Sequence, residues 1–393
     1  MLRTFRYPLH PTIAQESTID SWRVICQQLY NAALQHRRDA WEHEKRQRQL
    51  AEDRNEERGR TKSVTYATQT VELTAIRRGD ALLDAMPLEA QRSALRRIDR
   101  AFVAFFRRCR SGETPGYPRF RSRDRYDSFD IGRVVPHDDE ARGSRSAHVR
   151  IPKLGLVKFH EYRPLRGRVL NTTVRRVAGR WYICFQCDLG AAPAKKPVAS
   201  AVGVDVGLTS FATLSDGTAV ENPRYFRRAE DQLAMRQQRL SRRQRGSASR
   251  RRAKLLVAKA HERIKNQRLD FARKLVCALF TKYDLVAYED LNIRGMVRAM
   301  DGHLSKSIND AAWGVFVHAL ACKAESAGKW AVAVDPRGTT QRCSQCGVHV
   351  PKDLSVRVHV CGGCGLVLGR DENASRNILA LGRSVVSGLA HAS

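Results

Sequence analysis

The sequence has no apolar run long enough to span a bilayer, and its first residues, MLRTFRYPLHPT, lack the apolar stretch of a signal peptide. We therefore expect a protein that stays in the cytoplasm and does not bind a membrane. Disulfide bonds are rare in that compartment, so the ten cysteines of the chain require a different explanation.

Acidic residues are also scarce, since 40 Asp and Glu stand against 70 Lys and Arg and leave a formal net charge of +30. Solubility alone requires far less charge than this. A protein this basic usually binds a polyanion, because contacts with phosphates release the counterions condensed around them. Arginine outnumbers lysine and suits bidentate phosphate contacts and stacking on bases. The composition therefore indicates a nucleic-acid partner rather than an anionic membrane surface.

The chain of 393 residues is long enough for two or three domains. Alternating polar and apolar residues between His148 and Leu189 predict a small β module with a hairpin turn around Ala178 and Gly179. Helical patterns precede it, and the first begins at Thr12 and Gln15, which have capping-box spacing. The highly charged stretch from Glu42 to Arg60 is either a solvated extension of that helix or a mobile loop. The segment GAAPAKKPVAS, residues 190–200, breaks every periodicity, so we place a domain boundary there. Beyond it, strands that first follow one another and then alternate with helices predict a mixed α/β sheet.

Two Cys-x-x-Cys pairs near the end of the chain contain Cys343, Cys346, Cys361 and Cys364. Each pair presents two thiolates to one ion, and four thiolates complete the closed tetrahedral site that is typical of structural Zn²⁺. His349 and His359 lie between the pairs and are reserve ligands, which a four-thiolate site does not need. The pattern therefore predicts a zinc that folds a small ribbon and takes no part in chemistry.

The other cysteines are interpreted as structural. Cys184 and Cys187 form a further Cys-x-x-Cys pair inside an alternating strand, where their side chains point to opposite faces and make a poor chelate. The remaining four stand alone in helical, mostly apolar stretches and are predicted to fill the core: Cys26, Cys109, Cys277 and Cys322.

Three acidic residues occupy positions that suggest chemistry. Asp205 lies inside the apolar run VGVDVG, Glu289 follows the buried strand pattern LVAY, and Asp371 begins the last helical pattern. Taken singly, Asp371 is an ordinary acid of a helix N-terminus and Glu289 an ordinary strand-end residue. A carboxylate on a buried strand, such as Asp205, must be paired or bound to metal. Together the three fit a site in which carboxylates hold two Mg²⁺ or Mn²⁺ ions for phosphodiester hydrolysis.

Several of these segments resemble the TnpB (OrfB) family of transposon-encoded RNA-guided DNA endonucleases, which is related to type V CRISPR effectors. Its three RuvC motifs and zinc ribbon are similar to GVDVGLTSFATLSDG, AYEDL, CSQCG, CGGCG and RDENASRNI. Its N-terminal helical and β modules and its basic RuvC insertion are similar to AFVAFFRRCRSGETPGYPRFRSRDRYDSF, RVLNTTVRRVAGRWY and LSRRQRGSASRRR. The resemblance covers nearly the full chain.

The resemblance implies an α/β fold class with additional β and α modules. The nuclease domain is expected to be RNase H-like (RuvC) with an inserted zinc ribbon, and a β module with a helical recognition insertion precedes it. The predicted boundaries are 1–190 for the wedge-like β module, approximately 12–110 for its helical insertion, 191–200 for a linker, 201–338 and 369–393 for the nuclease domain, and 339–368 for the ribbon.

By the same resemblance, Asp205, Glu289 and Asp371 correspond to the catalytic triad and bind Mg²⁺ or Mn²⁺. The implied partners are a guide RNA derived from the transposon end and double-stranded target DNA, which is cut next to a short flanking motif. The protein is expected to be monomeric with its RNA in a prokaryotic cytoplasm. Three alternatives stay open: a DNA-strand-transferring transposase, a compact type V CRISPR effector, and a regulator that binds guide RNA and DNA without cutting.

Nucleic-acid contacts are predicted for Gln91, Arg92, Arg119, Arg121, Arg242 and Arg243. Arg119 and Arg121 belong to GETPGYPRFRSRDRYDSF, where basic residues alternate with aromatic ones as phosphate contact and base stacking require. The alternative is a basic surface loop with two anchoring aromatic residues. Gln91 and Arg92 are assigned because the family recognises the flanking DNA motif through this N-terminal region.

Overall fold

The structure, a computed structural model, describes residues 1–54, 63–137, 146–353 and 355–391. The chain forms two compact units, Met1–Gly190 and Ala191–Ser393. Among the described helices, none combines the length and the apolar composition that a bilayer span requires.

The first unit contains one β-sheet and a group of helices. In chain order, the helices come between the first strand and the second. Its elements are β1 (Leu2–His10), α1 (Ile13–Asp53), α2 (Tyr66–Gly79), α3 (Ala81–Asp84), α4 (Leu88–Arg110), β2 (Ser128–Asp130), β3 (Pro136–His137), β4 (Ser146–Ile151), β5 (Gly155–His160), β6 (Arg168–Val177) and β7 (Arg180–Asp188). Among the described residues, seven strands form one sheet in the order β2-β6-β7-β1-β5-β4-β3. Every neighbouring pair is antiparallel.

Two local signals fix the ends of these elements. Thr12 accepts a hydrogen bond from the backbone N–H of Gln15, and the Gln15 side chain accepts one from the N–H of Thr12, which confirms the predicted capping box of α1. The predicted hairpin turn at Ala178 and Gly179 is also present, and both residues have positive φ, at 47° and 80°. That backbone matches the right-handed twist of β6 and β7.

Helices α1 and α4 bury their apolar faces together with the sheet. The core includes Tyr7, Trp22, Ile98, Phe129 and Phe185. Trp22 meets Phe129 edge to face, with ring centroids 6.5 Å apart. The highly charged stretch from Glu42 onward continues α1 as far as Asp53, whereas residues 55–60 of that stretch lie outside the described residues.

An ion cluster around Asp20 joins α1 to the segment after α4 and to β6. Asp20 contacts Arg23 at 2.8 Å, Arg176 at 2.9 Å and Arg123 at 3.2 Å. Arg23 is buried and also donates to the carbonyl O of Tyr126 at 2.8 Å. Burial raises the pKa of Asp20, but its hydrogen bond and charge contact with Arg23, together with the other arginines, outweigh burial and lower it. The cluster therefore favours the ionised carboxylate.

The second unit is a mixed α/β structure. Its elements are β8 (Ala201–Val206), β9 (Ser210–Leu214), β10 (Ala219–Glu221), α5 (Tyr225–Ser241), α6 (Ala248–Lys282), β11 (Leu285–Glu289), α7 (Ile293–Ala299), α8 (Gly302–Ala311), α9 (Trp313–Ala327), β12 (Trp330–Val334), β13 (Val358–Val360), β14 (Val367–Gly369) and α10 (Arg370–His391). In the described part of this unit, five strands form a sheet in the order β10-β9-β8-β11-β12. The β8, β9 and β10 strands pair antiparallel, while β11 is parallel to both β8 and β12, so the predicted mixed sheet is confirmed.

The two faces of this sheet are covered differently. On one face, Val202, Val204, Phe211, Phe316 and Leu320 form a core between the strands and helices α6 and α9. On the opposite face lies α10, which packs against β8, β11 and β12. The helix that carries Asp371 in its first turn therefore packs directly on the strands that carry the other two acids.

Two glycines allow α10 to lie very close to the strands. A Cβ atom added to Gly203 would lie 2.0 Å from the carbonyl O of Ser375, and one added to Gly382 would lie 2.4 Å from the Cβ of Ala287. Real Cβ atoms do not come that close, so any side chain at these positions would push the helix away.

The cysteines outside the two C-terminal pairs differ from the expectation. Cys26 is fully buried, as predicted, but Cys109, Cys277 and Cys322 are exposed. The prediction was wrong for these three because an apolar stretch of helix still has a solvent side, and their positions fall on it.

Candidate active site

The carboxyl ends of two neighbouring parallel strands carry Asp205 and Glu289. Strands β8 and β11 run parallel, with Ala287 paired to Gly203. Glu289 and Asp205 each lie two residues farther along their own strand, so the two acids are neighbours. Side chains alternate between the faces of a strand, so both carboxylates lie on the face that α10 covers. The ends of parallel strands are a common place for ligand sites.

The third acid, Asp371, lies in the first turn of α10. One turn later, Ser375 places its backbone directly against Gly203. Residues four apart share one face of a helix, so Asp371 is on the side of α10 that faces the sheet. The structure thus brings together three acids that come from distant parts of the chain.

The electrostatics of the acids reflect this proximity. Burial raises the pKa of Asp205 well above its ordinary value, and the negative charges of Glu289 and Asp371 raise it further. The positive charge of Arg370 lowers the pKa of Asp205 by less than burial and the two acids raise it. The Nε of Arg370 also donates to Asp371 at 3.1 Å. Carboxylates held together away from water repel one another, and a bound cation relieves that repulsion. The donor set therefore fits a hard divalent cation such as Mg²⁺ or Mn²⁺.

Glu289 is oriented by a hydroxyl group that sequence reasoning missed. Thr339 is 3% exposed, and its Oγ1 donates to Glu289 Oε1 at 2.6 Å. Burial raises the pKa of Glu289, whereas the Thr339 hydrogen bond lowers it. Thr339 therefore favours the ionised form of this carboxylate and fixes its direction.

Two asparagines connect α10, which carries Asp371, to the backbone on either side of Cys343. Asn377 donates through Nδ2 to the carbonyl oxygens of Thr339 and Arg342, both at 2.8 Å. Asn373 donates to the carbonyl O of Arg342 at 2.7 Å and accepts from the N–H of Ser344 at 2.9 Å. The signal for these residues was in RDENASRNI, because asparagines four apart share a helix face.

The four cysteines of the C-terminal pairs form one cluster. In the described part of the chain, the Sγ atoms of Cys343, Cys346, Cys361 and Cys364 all lie within 4.8 Å of one another. Each Cys-x-x-Cys turn ends in a glycine with positive φ, Gly347 at 77° and Gly365 at 75°. The strands β13 and β14 flank the second turn and pair with each other. The predicted convergence of the four thiols is confirmed.

The backbone around this cluster favours thiolates. Burial raises the pKa of Cys343, but the N–H groups of Cys346 and Gln345 outweigh burial and lower it to about 5. The N–H groups of Cys364 and Gly363 likewise lower the pKa of Cys361. The N–H groups of Val348 and Leu366 act in the same direction on Cys346 and Cys364, but burial and hydrogen bonds with the other thiols outweigh them and raise the pKa of these two cysteines. Thiolates are the form that binds Zn²⁺, and four of them complete a closed site. The cluster is therefore compatible with a structural zinc.

Neither histidine between the pairs belongs to this group of converging ligand atoms. His349 is exposed, and its Nε2 lies 3.0 Å from Gln341 Oε1. His359 is fully buried, and its Nδ1 contacts the ammonium group of Lys352. His349 Nε2 and His359 Nδ1 have partners outside the cluster, and the sulfurs alone supply a four-ligand site.

Comparisons with known proteins show which family the chain belongs to. A Streptomyces pristinaespiralis protein named "Putative RNA-guided DNA endonuclease" is 34% identical over 397 residues, which covers 97% of this chain and 89% of that protein. "Putative RNA-guided DNA endonuclease InsQ" of Escherichia coli (strain K12) is 31% identical and covers 98% of this chain and 94% of that protein. The family OrfB_IS605, described as "Probable transposase", matches residues 184–300. The chain belongs to the OrfB (TnpB) family.

Two further family descriptions match other parts of this OrfB chain. "Cas12f1-like, TNB domain" matches residues 313–378, which include the cysteine cluster and Asp371, and relates the family to type V effectors. "Helix-turn-helix domain" matches residues 1–46, although these residues form β1 and part of the continuous helix α1 here. A solved structure of CasPhi-2 (Cas12j) bound to crRNA and phosphorothioate-DNA is 9% identical, covers 97% of this chain and 91% of that chain, and has a TM-score of 0.44. That score is too low to support an argument about the fold.

One residue that was predicted to contact nucleic acid is not available for it. Gln91 is fully buried in this OrfB-family chain, and its Nε2 donates to the carbonyl O of Leu83 at the end of α3. The carbonyls at a helix end lack partners within the helix, and Gln91 supplies one. The prediction for Gln91 was wrong, whereas the neighbouring Arg92 is partly exposed.

The other predicted contacts lie at the surface. Arg119 and Arg121 are exposed, and α1 holds their backbone in place. Tyr30 donates to the carbonyl O of Arg119 at 3.3 Å, and Asn31 both donates to and accepts from the backbone of Arg121, at 3.0 and 2.8 Å. Their guanidinium groups are therefore presented outward. The predicted contacts Arg242 and Arg243 are exposed in the segment between α5 and α6.

Proposed function

We propose that this OrfB-family chain is a transposon-encoded RNA-guided DNA endonuclease. It cuts double-stranded DNA next to a short flanking motif by hydrolysing phosphodiester bonds. The observation that carries the proposal is the convergence of Asp205, Glu289 and Asp371 at the carboxyl ends of β8 and β11 and the start of α10. The names of its relatives from Streptomyces and Escherichia coli support the same activity.

The fold we propose for the second unit is RNase H-like (RuvC), with a zinc ribbon inserted at residues 339–368. Its mixed five-stranded sheet supports this assignment, as do the acids on its two central parallel strands, within the described residues. The ribbon would hold Zn²⁺ through its four cysteines and take no direct part in the reaction. In the first unit, the wedge-like β module of residues 1–190 would carry a recognition insertion at approximately 12–110.

Asp205, Glu289 and Asp371 would hold two Mg²⁺ or Mn²⁺ ions. When bound, the ions supply an activated water and stabilise the leaving oxygen. The Thr339 hydroxyl directs Glu289 and opposes the effect of burial on its pKa, and Arg370 donates to Asp371.

The partners we propose are a guide RNA derived from the transposon end and double-stranded target DNA. The net charge of +30 provides the attraction for both polyanions. Base pairing between guide and target supplies the sequence specificity, so the protein itself needs to read only the flanking motif. We propose that one chain acts with one RNA.

The experiment that tests the proposal replaces each acid by alanine and measures cleavage and binding separately. Asp205→Ala, Glu289→Ala and Asp371→Ala should each abolish Mg²⁺-dependent cutting of double-stranded DNA and retain guide-directed DNA binding. The losses should not add, because each variant disables the same unit. Asp290→Asn is the matched control, since this neighbouring acid is exposed and follows the end of β11.

Two outcomes would contradict the proposal. Robust cutting by any one alanine variant would remove that acid from the site. A wild-type product in which DNA strands are newly joined, instead of cut ends, would identify a strand-transferring transposase, which the description of the matching family names.

A further inference from the structure

A large cavity in the first unit combines exposed aromatic rings with arginines. It has a volume of about 1690 Å³ and lies between the C-terminal half of α1, the C-terminal half of α4 and the segment that follows α4. The large apolar side chains on its walls that are markedly exposed are Trp41, Val103, Phe106, Tyr117 and Phe120. Such a concentration of exposed apolar area on one concave surface marks a binding site more often than a free surface.

The rings are held in a fixed arrangement. Tyr117 meets Phe102 and Phe105 edge to face, with centroids 5.6 and 5.3 Å apart, and Phe106 packs against the same two rings at 6.2 and 5.2 Å. The backbone of the segment is anchored as well, because Arg108 donates to the carbonyl O of Gly116 at 3.2 Å. Preorganised rings bind flat ligands without losing much conformational entropy.

The charges around the rings favour an anionic ligand. Arg37 lies over Phe102 and is neutralised by Asp99 at 3.1 Å. Arg48 is likewise paired with Glu44 at 3.1 Å, which leaves two arginines of the lining, Arg38 and Arg119, against one acid, Glu42. Arg38 lies over Phe120, and Arg119 is exposed at the rim. Within the described part of the chain, neither Arg38 nor Arg119 forms an ion pair. Their guanidinium groups are thus available for phosphates beside the open rings.

We propose that this cavity binds unpaired nucleotides, stacking their bases on Phe106, Tyr117, Phe120 and Trp41 while Arg38 and Arg119 contact their phosphates. Only an unpaired strand fits this chemistry, because the faces of bases in a duplex are already covered by their neighbours. Stacking on aromatic rings tolerates any sequence, since every base has a π-face. The inference rests on the proposed function for the origin of the strand, which is either a segment of the guide RNA or the DNA strand displaced by it.

The test measures the affinity of the full chain, freed of nucleic acid in high salt, for fluorescently labelled oligonucleotides. The probes are an RNA and a DNA strand of one sequence, together with the matching DNA duplex. Phe106→Leu keeps an apolar side chain but removes the π-face, and Phe106→Tyr keeps both. Phe106→Leu should weaken single-strand binding by about 5- to 150-fold, the range typical of one stacked base, and Phe106→Tyr should leave it unchanged. Duplex binding should change in neither variant.

Comparison of the RNA probe with the DNA probe distinguishes a guide-RNA segment from the displaced DNA strand. The probe whose affinity falls more in Phe106→Leu is the kind of strand that the cavity binds. Ultraviolet crosslinking of the wild-type chain should also attach nucleotides to peptides that contain Trp41, Phe106 or Tyr117. Equal affinity of Phe106→Leu and wild type overturns the inference, as do crosslinks confined to other peptides. If Phe106→Leu does not fold, Phe120→Leu on the connecting segment provides the same comparison.

Failure of this inference can be told apart from failure of the proposed function. Asp205→Ala, in the second unit, should bind the single strands as tightly as wild type does. If Asp205→Ala stops cleavage while Phe106→Leu binds normally, the cavity assignment alone is wrong. If Asp205→Ala still cuts while Phe106→Leu loses the single strand, the acid assignment alone is wrong.

Discussion

Replacing Thr339 by valine removes one hydroxyl group next to the candidate active site and preserves the shape of the side chain. In the structure this hydroxyl donates to Glu289 Oε1 at 2.6 Å and lies 3.0 Å from the carbonyl O of Pro336. Valine would present a methyl group to a carboxylate whose pKa is already raised by burial. The change therefore disfavours the ionised form of Glu289 and removes the hydrogen bond that orients it. The three acids themselves stay in place.

The expected magnitude follows from the chemistry of this contact. A hydrogen bond to a charged group stabilises by about 1.5–3 kcal/mol, and about 1.4 kcal/mol corresponds to tenfold in rate. Losses of about 10- to 100-fold are also typical when the partner of a metal-binding carboxylate is removed. We expect cleavage by Thr339→Val to be slower by this factor and its Mg²⁺ requirement to rise. Stability should fall by only about 1 kcal/mol, because valine fills the buried space.

The assay is single-turnover cutting of guide-matched DNA across a range of Mg²⁺ concentrations. Thermal unfolding and zinc content are measured in parallel, since neither should change much. Thr339→Ser is the matched control because it keeps the hydroxyl and removes the methyl group. The serine variant should cut at nearly the wild-type rate.

Two results would refute this reasoning. If Thr339→Val cuts at the wild-type rate with an unchanged Mg²⁺ dependence, the hydroxyl does not orient Glu289. If instead the serine and valine variants are slowed equally, the methyl group and its packing matter, and the hydrogen bond does not.

Three more predictions concern the cysteine cluster, the basic segment and the ion cluster of the first unit. Wild type should hold close to one Zn²⁺ per chain by elemental analysis; Cys343→Ser should lose it together with thermal stability, and the exposed Cys277→Ser should keep both. Replacing Arg119 and Arg121 by alanine should reduce the slope of log affinity for nucleic acid against log salt by about 2, one for each phosphate contact, and an unaltered slope would contradict their role. Asp20 has a lowered pKa, so its stabilisation is complete above the ordinary carboxyl pKa and is lost as the pH falls through the lowered value. Asp20→Asn should therefore cost about 1–3 kcal/mol at neutral pH in denaturant unfolding, with a smaller cost in acid; a cost that does not depend on pH would count against the charge.

Local patterns in the sequence were sufficient for several parts of the structure. The spacing of Thr12 and Gln15 predicted the start of α1, and two Cys-x-x-Cys turns predicted a cluster of four thiols. Such features depend on residues that are close in sequence or on a ligand that imposes its own geometry. The apolar runs around Asp205 and Glu289 likewise predicted strands. The acids within these runs predicted a site, because a buried carboxylate must be paired or bound to metal.

The features that the sequence did not reveal depend on packing between distant segments. The position of Thr339 beside Glu289 follows from how the chain returns after β12, which no periodicity encodes. Gln91 was misassigned because the resemblance places recognition of the flanking DNA motif in this N-terminal region, whereas its side chain is buried and donates to the carbonyl O of Leu83. In both cases the partner is a single group whose position becomes known only when the fold is complete.

The contact between Gly203 and α10 has a consequence for how this protein tolerates sequence change. Gly203 performs no chemistry, yet even an alanine there would have to move the backbone of Ser375 away from the sheet. Because Asp371 is on the same face of that helix, the displacement would separate it from the other two acids. In a survey of all single substitutions scored by DNA cutting, position 203 would therefore be as intolerant as the acids themselves. Sequence drift in relatives that still cut DNA is limited at this glycine by geometry, although it touches neither metal nor substrate.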